Sequence, residues 1–425
     1  MEPTTTSTAD IVVAGGGPAG VSAAVAAARL DARVTLVERY GFLGGMATAG
    51  FVFPFMSHYA GERPVIAGIW GELLERLAHY PYGYQRGTHI SGIGHIGFDI
   101  EGVKQSWLAM CLEAGVTLQL HTFISDVLMA GDRVTGLITH SKSGREELSA
   151  GVVIDGTGDG DIAARSGAPF VIGRESDGRV MPMSMHFRMG GVEMRRLPSR
   201  EEINTLYARD KAAGLLENPR ENVLWFDTPH PDQVHFNTTR LLNFLGTDRD
   251  DLTAAEIEAQ HQVREMVDWL TSTVPGFENA YLLMTGTQVG VRETRRIIGE
   301  HVVTEEELLG LTKYPDAVAL CAYPVDIHNP AGAGTVIKEV PYGEYYSIPY
   351  RALLPLQVEG LLVAGRPIST THEAHSATRI QPLASATGQA AGIAAVLALR
   401  DNIPVRQVNP ERLRETLRAQ GAMVD

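Results

Sequence analysis

The sequence predicts an α/β protein in which a three-layer domain on a parallel sheet is interleaved with a second, α+β domain on an antiparallel sheet. Three observations carry this expectation. Residues 11–14 are a short apolar run that stops at a glycine-rich turn, leads into an Ala-rich stretch at 21–30 and reaches a second apolar run at 34–37. Two further runs that close on glycine, 152–155 and 361–364, lie far along the chain, so the parallel sheet is assembled from separated segments. Between them, from about 182 to 341, alternating strands such as 183–189 and an amphipathic helix at 254–274 carrying Ile257, His261, Val263, Val267 and Leu270 have a different character.

The first segment says what the parallel sheet is for. Ile11, Val12, Val13 and Ala14 suit a strand buried on both faces. In Gly15-Gly16-Gly17-Pro18-Ala19-Gly20 the glycines at 15, 17 and 20 make a GxGxxG. Gly15 forms the turn, Gly17 lets backbone N–H groups approach a diphosphate, and Gly20 lets helix pack closely on strand. Pro18 and Ala19 stand at the start of that helix, whose free N–H groups face the anion. Glu38 ends the second run, where a carboxylate can accept both hydrogen bonds of a ribose diol, and Arg39 stands beside it. A lone GxGxxG is weak evidence; strand, turn, helix, second strand and terminal carboxylate in register define a Rossmann-like dinucleotide site.

The fingerprint alone does not separate FAD from NAD, and the next segment does. Gly41-Phe42-Leu43-Gly44-Gly45-Met46-Ala47-Thr48 pairs two glycines with a small residue and a hydroxyl, which lets backbone and side chain reach a phosphate or a flavin ring. An NAD site has no need of it. Further on come Gly151-Val152-Val153-Ile154-Asp155-Gly156-Thr157-Gly158-Asp159-Gly160-Asp161 and Gly290-Val291-Arg292-Glu293-Thr294-Arg295-Arg296-Ile297. The last pair is Gly360-Leu361-Leu362-Val363-Ala364-Gly365-Arg366 with Ala386-Thr387-Gly388-Gln389-Ala390-Ala391-Gly392. On these segments, spread over most of the chain, the sequence resembles the FAD-dependent oxidoreductase family of the glutathione-reductase-like FAD-binding superfamily, distantly related to fumarate reductase flavoproteins.

The resemblance implies FAD as cofactor, with contacts from Gly44, Gly45, Met46, Ala47 and Thr48, from Gly158 and Asp159, and from Gly365 and Arg366. The closing helix is expected at 385–399 with small residues on its packing face; Thr387, Gly388 and Ala390 at its start would bring partial positive charge to the flavin N1 and C2 carbonyl. Fumarate reductase relatives attach FAD through a histidine just before the double glycine. Tyr40 and Phe42 stand there instead, so non-covalent FAD is expected.

Residues 8–56, 97–175 and 345–410 are expected to form the discontinuous FAD domain, 57–96 and 176–344 the substrate domain and lid, and 411–425 a C-terminal tail. Within the first, a helix at 102–114 precedes strands at 116–120, 123–130 and 133–140, the last two joined by Gly131-Asp132 as a hairpin. The net charge of −14 disfavours phosphate tracking and no basic face is visible, so no nucleic-acid partner is expected. Apolar stretches such as 21–28 are too short to cross a bilayer, and the first nine residues are polar and Thr-rich, so neither a membrane partner nor export is expected. Cys111 and Cys321 lie far apart and outside any CxxC, which fits a reducing cytoplasm better than a disulfide scaffold, a redox dithiol or an iron–sulfur cluster.

Because the cofactor carries the redox chemistry, the protein must supply orientation, charge and proton transfer. His372 and Arg379 are the first candidates: with Glu373 and His375 they form the densest ionisable group after the Gly365 turn. Arg292, Arg295 and Arg296 fall on one expected strand, with Arg292 and Arg296 on a shared face, and one of them suits a bidentate grip on a substrate carboxylate. A salt-bridged strand with Glu293 and Glu300 is the plainer reading of the same residues. His328, in the polar segment Asp326-Ile327-His328-Asn329, is expected on a loop near the site. Tyr345, Tyr346, Pro349, Tyr350 and Arg351 serve either the site or the core, and His58, His89 and His95 are loop histidines able to line a lid. His372 and His375 lack i,i+4 spacing and a clear third ligand, so no metal is expected.

The sequence thus points to an enzyme that moves a hydride between a small organic substrate and FAD. Flavin monooxygenases and halogenases are a second reading, against which stands Gly365-Arg366 where such relatives usually carry Gly-Asp. An electron-transferring flavoprotein subunit is a third, disfavoured by two isolated cysteines. The chain's size is compatible with a homo-oligomer, and the sequence decides neither that nor the substrate.

Overall fold

A strand with no polar side chain has to be covered on both faces, and Ile11, Val12, Val13 and Ala14 are each fully buried. In the computed structural model, which describes residues 5–56, 58–88 and 94–425, they end the strand Thr5–Ala14 of a seven-stranded sheet. Five strands run parallel, in the order Thr117–Gln119, Val34–Val37, Thr5–Ala14, Gly144–Asp155 and Leu361–Val363. Gly144–Asp155 belongs to two structures at once. Residues 144–149 pair antiparallel with Arg133–Ser141, itself paired to Phe123–Ala130, whereas Val153 to Asp155 pair with Leu361–Val363.

Helices Pro18–Ala28 and Gln381–Asp401 cover one face of this sheet. They cross at glycine: a Cβ on Gly388 would lie 2.0 Å from the Ala19 carbonyl oxygen, and one on Gly392 would lie 2.2 Å from that of Ala23. Ser22 and Ser385 hydroxyls close the same seam at 2.7 Å. The closing helix starts at Gln381 rather than 385, with Pro382 in its first turn, after a short helix His372–Thr378 capped by Thr371. This shifts Thr387, Gly388 and Ala390 from the helix start into its packed interior. On the other face, Val12, Val37, Val153 and Val363 pack with Leu137 and Leu148 of the hairpin and with Ile162.

A second core is drawn from Met183 to Val291. Its antiparallel sheet has the order Trp225–Asp227, Val234–Phe236, Phe187–Gly190, Tyr281–Thr285. The strand expected over 183–189 is shorter, because Met183 and Ser184 make isolated bridges to Leu241 and Gly290 instead. The amphipathic helix spans Arg249–Thr273, capped by Asp248, and its buried stripe includes Ala255, Ala259, Val263, Met266 and Leu270. Ile257 and His261, expected on that stripe, are exposed; Gln262 takes the inner position by exchanging hydrogen bonds with both backbone groups of Arg240.

The segments Val318 to Val325 and Tyr346 to Leu354 contribute to the first core. So does the end of the chain: within residues 411–425, expected as a tail, helix Pro410–Ala419 has Leu413 and Leu417 fully buried. That amphipathic spacing, Leu at i and i+4, was the available signal.

Candidate functional site

A cavity of about 720 Å³ is lined from both cores, within the size range of cofactor and ligand pockets. Its first half is made by glycine. Gly15 has φ +94°, a left-handed backbone that glycine alone adopts cheaply, and a Cβ there would lie 2.6 Å from the Gly156 carbonyl. Gly17 differs: a Cβ would meet nothing nearer than Gly45 Cα at 3.7 Å, so its backbone opens onto the cavity. Helix Pro18–Ala28 begins at this point with no acidic residue in its first turn, so its N-terminal amides and dipole remain available to an anion. The double-glycine loop closes against the same turn, Gly44 N–H donating to the Gly16 carbonyl at 2.8 Å.

Glu38 is buried in the cavity wall. Its carboxylate accepts the Gly16 N–H at 2.6 Å and the Tyr40 N–H at 2.9 Å. Burial raises its pKa, and these two amides work against the rise. Arg39 donates to Gln288 Oε1 at 2.7 Å, tying the end of the second strand to the opposite wall. Asp155 shapes the 156–159 turn, accepting Thr157, Ile162 and Ala163 N–H groups. Arg366 then links three segments by bonding Gly158 O, Asp159 and Val291 O. Gly365 (φ +82°) donates its N–H to Thr387 Oγ1 at 3.1 Å.

The second half is polar and buried. Arg292 Nη1 donates to Pro182 O at 2.5 Å and its Nη2 to Asn237 Oδ1 at 3.3 Å. Burial, then Arg379 and Arg220 nearby, pushes its pKa well below the usual guanidinium range. Arg379 approaches Asp326 at 3.8 Å. His328 sits in strand Val325–His328, paired with Thr335–Lys338, where a loop was expected; its Nδ1 is 3.3 Å from Thr335 Oγ1. Burial first, and then four arginines led by Arg292, holds it neutral. His186 lines the same half, its Nδ1 3.0 Å from His235 Nε2.

Of the residues expected from sequence, Gly15, Gly17, Pro18, Ala19, Glu38, Arg39, Gly45, Met46, Gly158, Asp159, Gly365 and Arg366 line the cavity, together with Arg292, His328 and Arg379. Others stand behind it. Gly20 packs helix on strand, a Cβ there falling 1.8 Å from Gly15 O. Gly44, Ala47 and Thr48 shape the double-glycine loop, Thr48 donating to Leu43 O at 2.8 Å. Thr387, Gly388 and Ala390 lie in the helix seam. His372 is turned away, its Nδ1 bonded to buried Glu293 at 2.9 Å. Arg292 and Arg296 do not share a face, because the strand covers only Arg295–Ile297; Arg296 bonds Glu293 and Gly173 O in the interior, and Arg295 bonds Asp161 at 2.9 Å.

Tyr346 and Tyr350 serve the core, donating to Tyr323 O and Val405 O, and Arg351 pairs with Asp316. His58 and His95 pack against Trp70 and Phe226, and His89 lies outside the described residues. Arg220, His186, Asn237 and Tyr323 were missed: each is isolated in sequence, and only the fold brings them to one wall.

Fold and site together define a flavin-dinucleotide enzyme: the open backbone at Gly17, the uncompensated helix terminus and buried Glu38 fit the ADP half of FAD. The family model for FAD dependent oxidoreductase matches residues 10–417, and the chain belongs to that family. It is an enzyme, and FAD is its cofactor. No sequence among the curated proteins matches it. Among solved structures, a geranylgeranyl bacteriochlorophyll reductase-like protein from Thermoplasma acidophilum is similar in fold, with TM-score 0.50, 13% identity, and 97% of this chain and 83% of that one covered. The myxobacterial chondrochloren halogenase CndH (TM-score 0.46, 14% identity, 98% and 79% covered) and the flavin-dependent brominase Bmp2 (0.47, 13%, 97% and 83%) are more remote in shape. Among the described residues one helix, Gln381–Asp401, is long and apolar enough to cross a membrane, and it is buried in the core.

Proposed function

We propose that this enzyme transfers a hydride between a small organic substrate and non-covalently held FAD. When bound, FAD supplies the two-electron redox centre. Gly17 and the first turn of helix Pro18–Ala28 hold the diphosphate, Glu38 holds the ribose, and Gln381 and Ala384 bring the start of the closing helix to the same cavity. The observation that carries the reading is continuity: the glycine-lined half and the half lined by His186, Asn237, Arg292, Tyr323 and His328 are one cavity. The second group orients the substrate and excludes bulk water, and His186 supplies a hydrogen-bonding ring to its wall.

Cys111 and Cys321 are buried with their thiols pushed up to about 12 and about 11 by burial, which disfavours any role as a dithiol relay to a partner protein. Anaerobic mixing of the FAD-loaded protein with candidate small molecules tests the proposal. Loss of the flavin's visible absorbance with a small molecule alone supports it. Reduction only by NAD(P)H with oxygen-dependent product would support a monooxygenase or halogenase, and reduction only by another protein an electron-transfer subunit; either overturns it.

A further inference from the structure

The substrate half of the cavity holds more positive than negative charge, with Arg220 and Arg292 buried and Arg379 half-buried. Arg220, Arg292 and Arg379 all line it. Among the described residues Arg292 bonds only neutral groups, the Pro182 carbonyl and the Asn237 amide oxygen. Arg220 donates to the amide oxygen of Asn222 at 3.3 Å. Arg379 stands 3.8 Å from Asp326, beyond a good hydrogen bond, and its Nε is buried with no hydrogen-bond partner. The neighbouring carboxylates are already engaged: Glu221 meets Arg240 at 3.1 Å, and Asp326 accepts the Tyr323 hydroxyl at 3.0 Å. Buried cations are stabilised by a counter-charge and strained without one. The mutual repulsion is visible at Arg292, where Arg379 and Arg220 add to burial in disfavouring the charged form.

We propose that Arg220, Arg292 and Arg379 form a carboxylate-binding subsite in the flavin cavity, so that the substrate is a small organic acid. The inference rests on the cavity being the substrate site of the flavin enzyme proposed above. Planar guanidinium forks match the two oxygens of a carboxylate. Asp326 beside Arg379 repels a multiply charged phosphate more than a single carboxylate.

The test is calorimetric titration of the FAD-loaded protein with small mono- and dicarboxylates, their matching primary amides, inorganic phosphate and sulfate. At least one carboxylate is expected to bind, with its amide at least about a hundredfold weaker. R379Q and R220Q are each expected to weaken that carboxylate at least about tenfold while retaining FAD, whereas R33Q, on the exposed Arg33–Asp10 pair, leaves it unchanged. R292Q is expected to behave alike, and if it fails to fold the other two variants carry the test. Equal binding of acid and amide, preference for phosphate or sulfate, unchanged affinity in R379Q, or no carboxylate bound would each overturn the subsite. A carboxylate that binds through the arginines without bleaching the flavin leaves the subsite standing and overturns hydride transfer; an amide that binds as well as its acid and bleaches the flavin does the reverse.

Discussion

His235 Nε2 lies 3.0 Å from His186 Nδ1, and Arg188 Nε lies 3.3 Å from the other nitrogen of His235. A guanidinium only donates, so His235 Nδ1 must accept, and its Nε2 carries the proton given to His186 Nδ1. Burial holds both rings neutral, well below the usual histidine range. His186 is therefore left with its proton on Nε2, in the wall of the substrate half of the cavity. A buried cation, Arg188, thus fixes through His235 the tautomer of a ring in the cavity wall.

This relay predicts a graded loss. His186→Ala removes an Nε2–H donor in the cavity wall and should slow flavin reduction by substrate by about a hundredfold or more, the usual share of one preorganised hydrogen-bond donor. His235→Phe, which removes only the orientation, should cost about ten- to a hundredfold. Both should keep FAD. Anaerobic stopped-flow absorbance gives the rates, and wild-type rates in His186→Ala would reduce the pair to packing.

Glu38 accepts two backbone N–H groups while lining the cavity. Glu38→Ala should weaken FAD binding about ten- to a hundredfold, as loss of charged hydrogen bonds of about 1.5–3 kcal/mol implies. Quenching of FAD fluorescence on titration into apoprotein measures it.

The helix seam predicts a stability effect that is not catalytic in origin. A methyl on Gly388 meets Ala19 O at 2.0 Å and must separate the helices. Gly388→Ala should destabilise the fold by about 1–3 kcal/mol, the range of overpacked interiors. Because Ala19 lies in the first turn facing the cavity, FAD affinity should fall with it. Denaturant unfolding and FAD titration read the two effects.

His375 is fully buried, its Nε2 3.1 Å from the Arg292 carbonyl, and burial pushes its pKa down to about 3. Below the ordinary value of 6.5 the unfolded chain takes up a proton that the folded one refuses, so this residue's contribution to stability is lost as pH falls from 6.5 toward 3. His375→Gln should remove about 1.4 kcal/mol per pH unit from that acid slope. Urea unfolding of both proteins across this window gives the difference, and parallel curves would show that the ring is not held neutral.

How far the sequence was legible follows the range of each interaction. The strand 11–14, its glycine turn and Glu38 follow one another closely in the chain, and the fold puts that turn and that carboxylate in the cavity wall. The hairpin around Gly131 and the closing strand at Leu361 were equally local. Boundaries failed where a cap or a proline three to six residues upstream took over, as at Pro382 and Asp248. His372 failed for another reason: adjacency to the Gly365 turn in sequence does not set which way a helix turns its side chains, and Glu293 draws this one inward.

By itself, then, the sequence determined the cofactor half, because a diphosphate is bound by backbone geometry and a short motif dictates backbone geometry. Only the tertiary structure decided the substrate half. Arg220, Arg292, Arg379 and His186 come from four separate segments outside the strands and helices, and no periodicity links them. Their charges acquire meaning through burial and mutual distance, and both are properties of the packed chain.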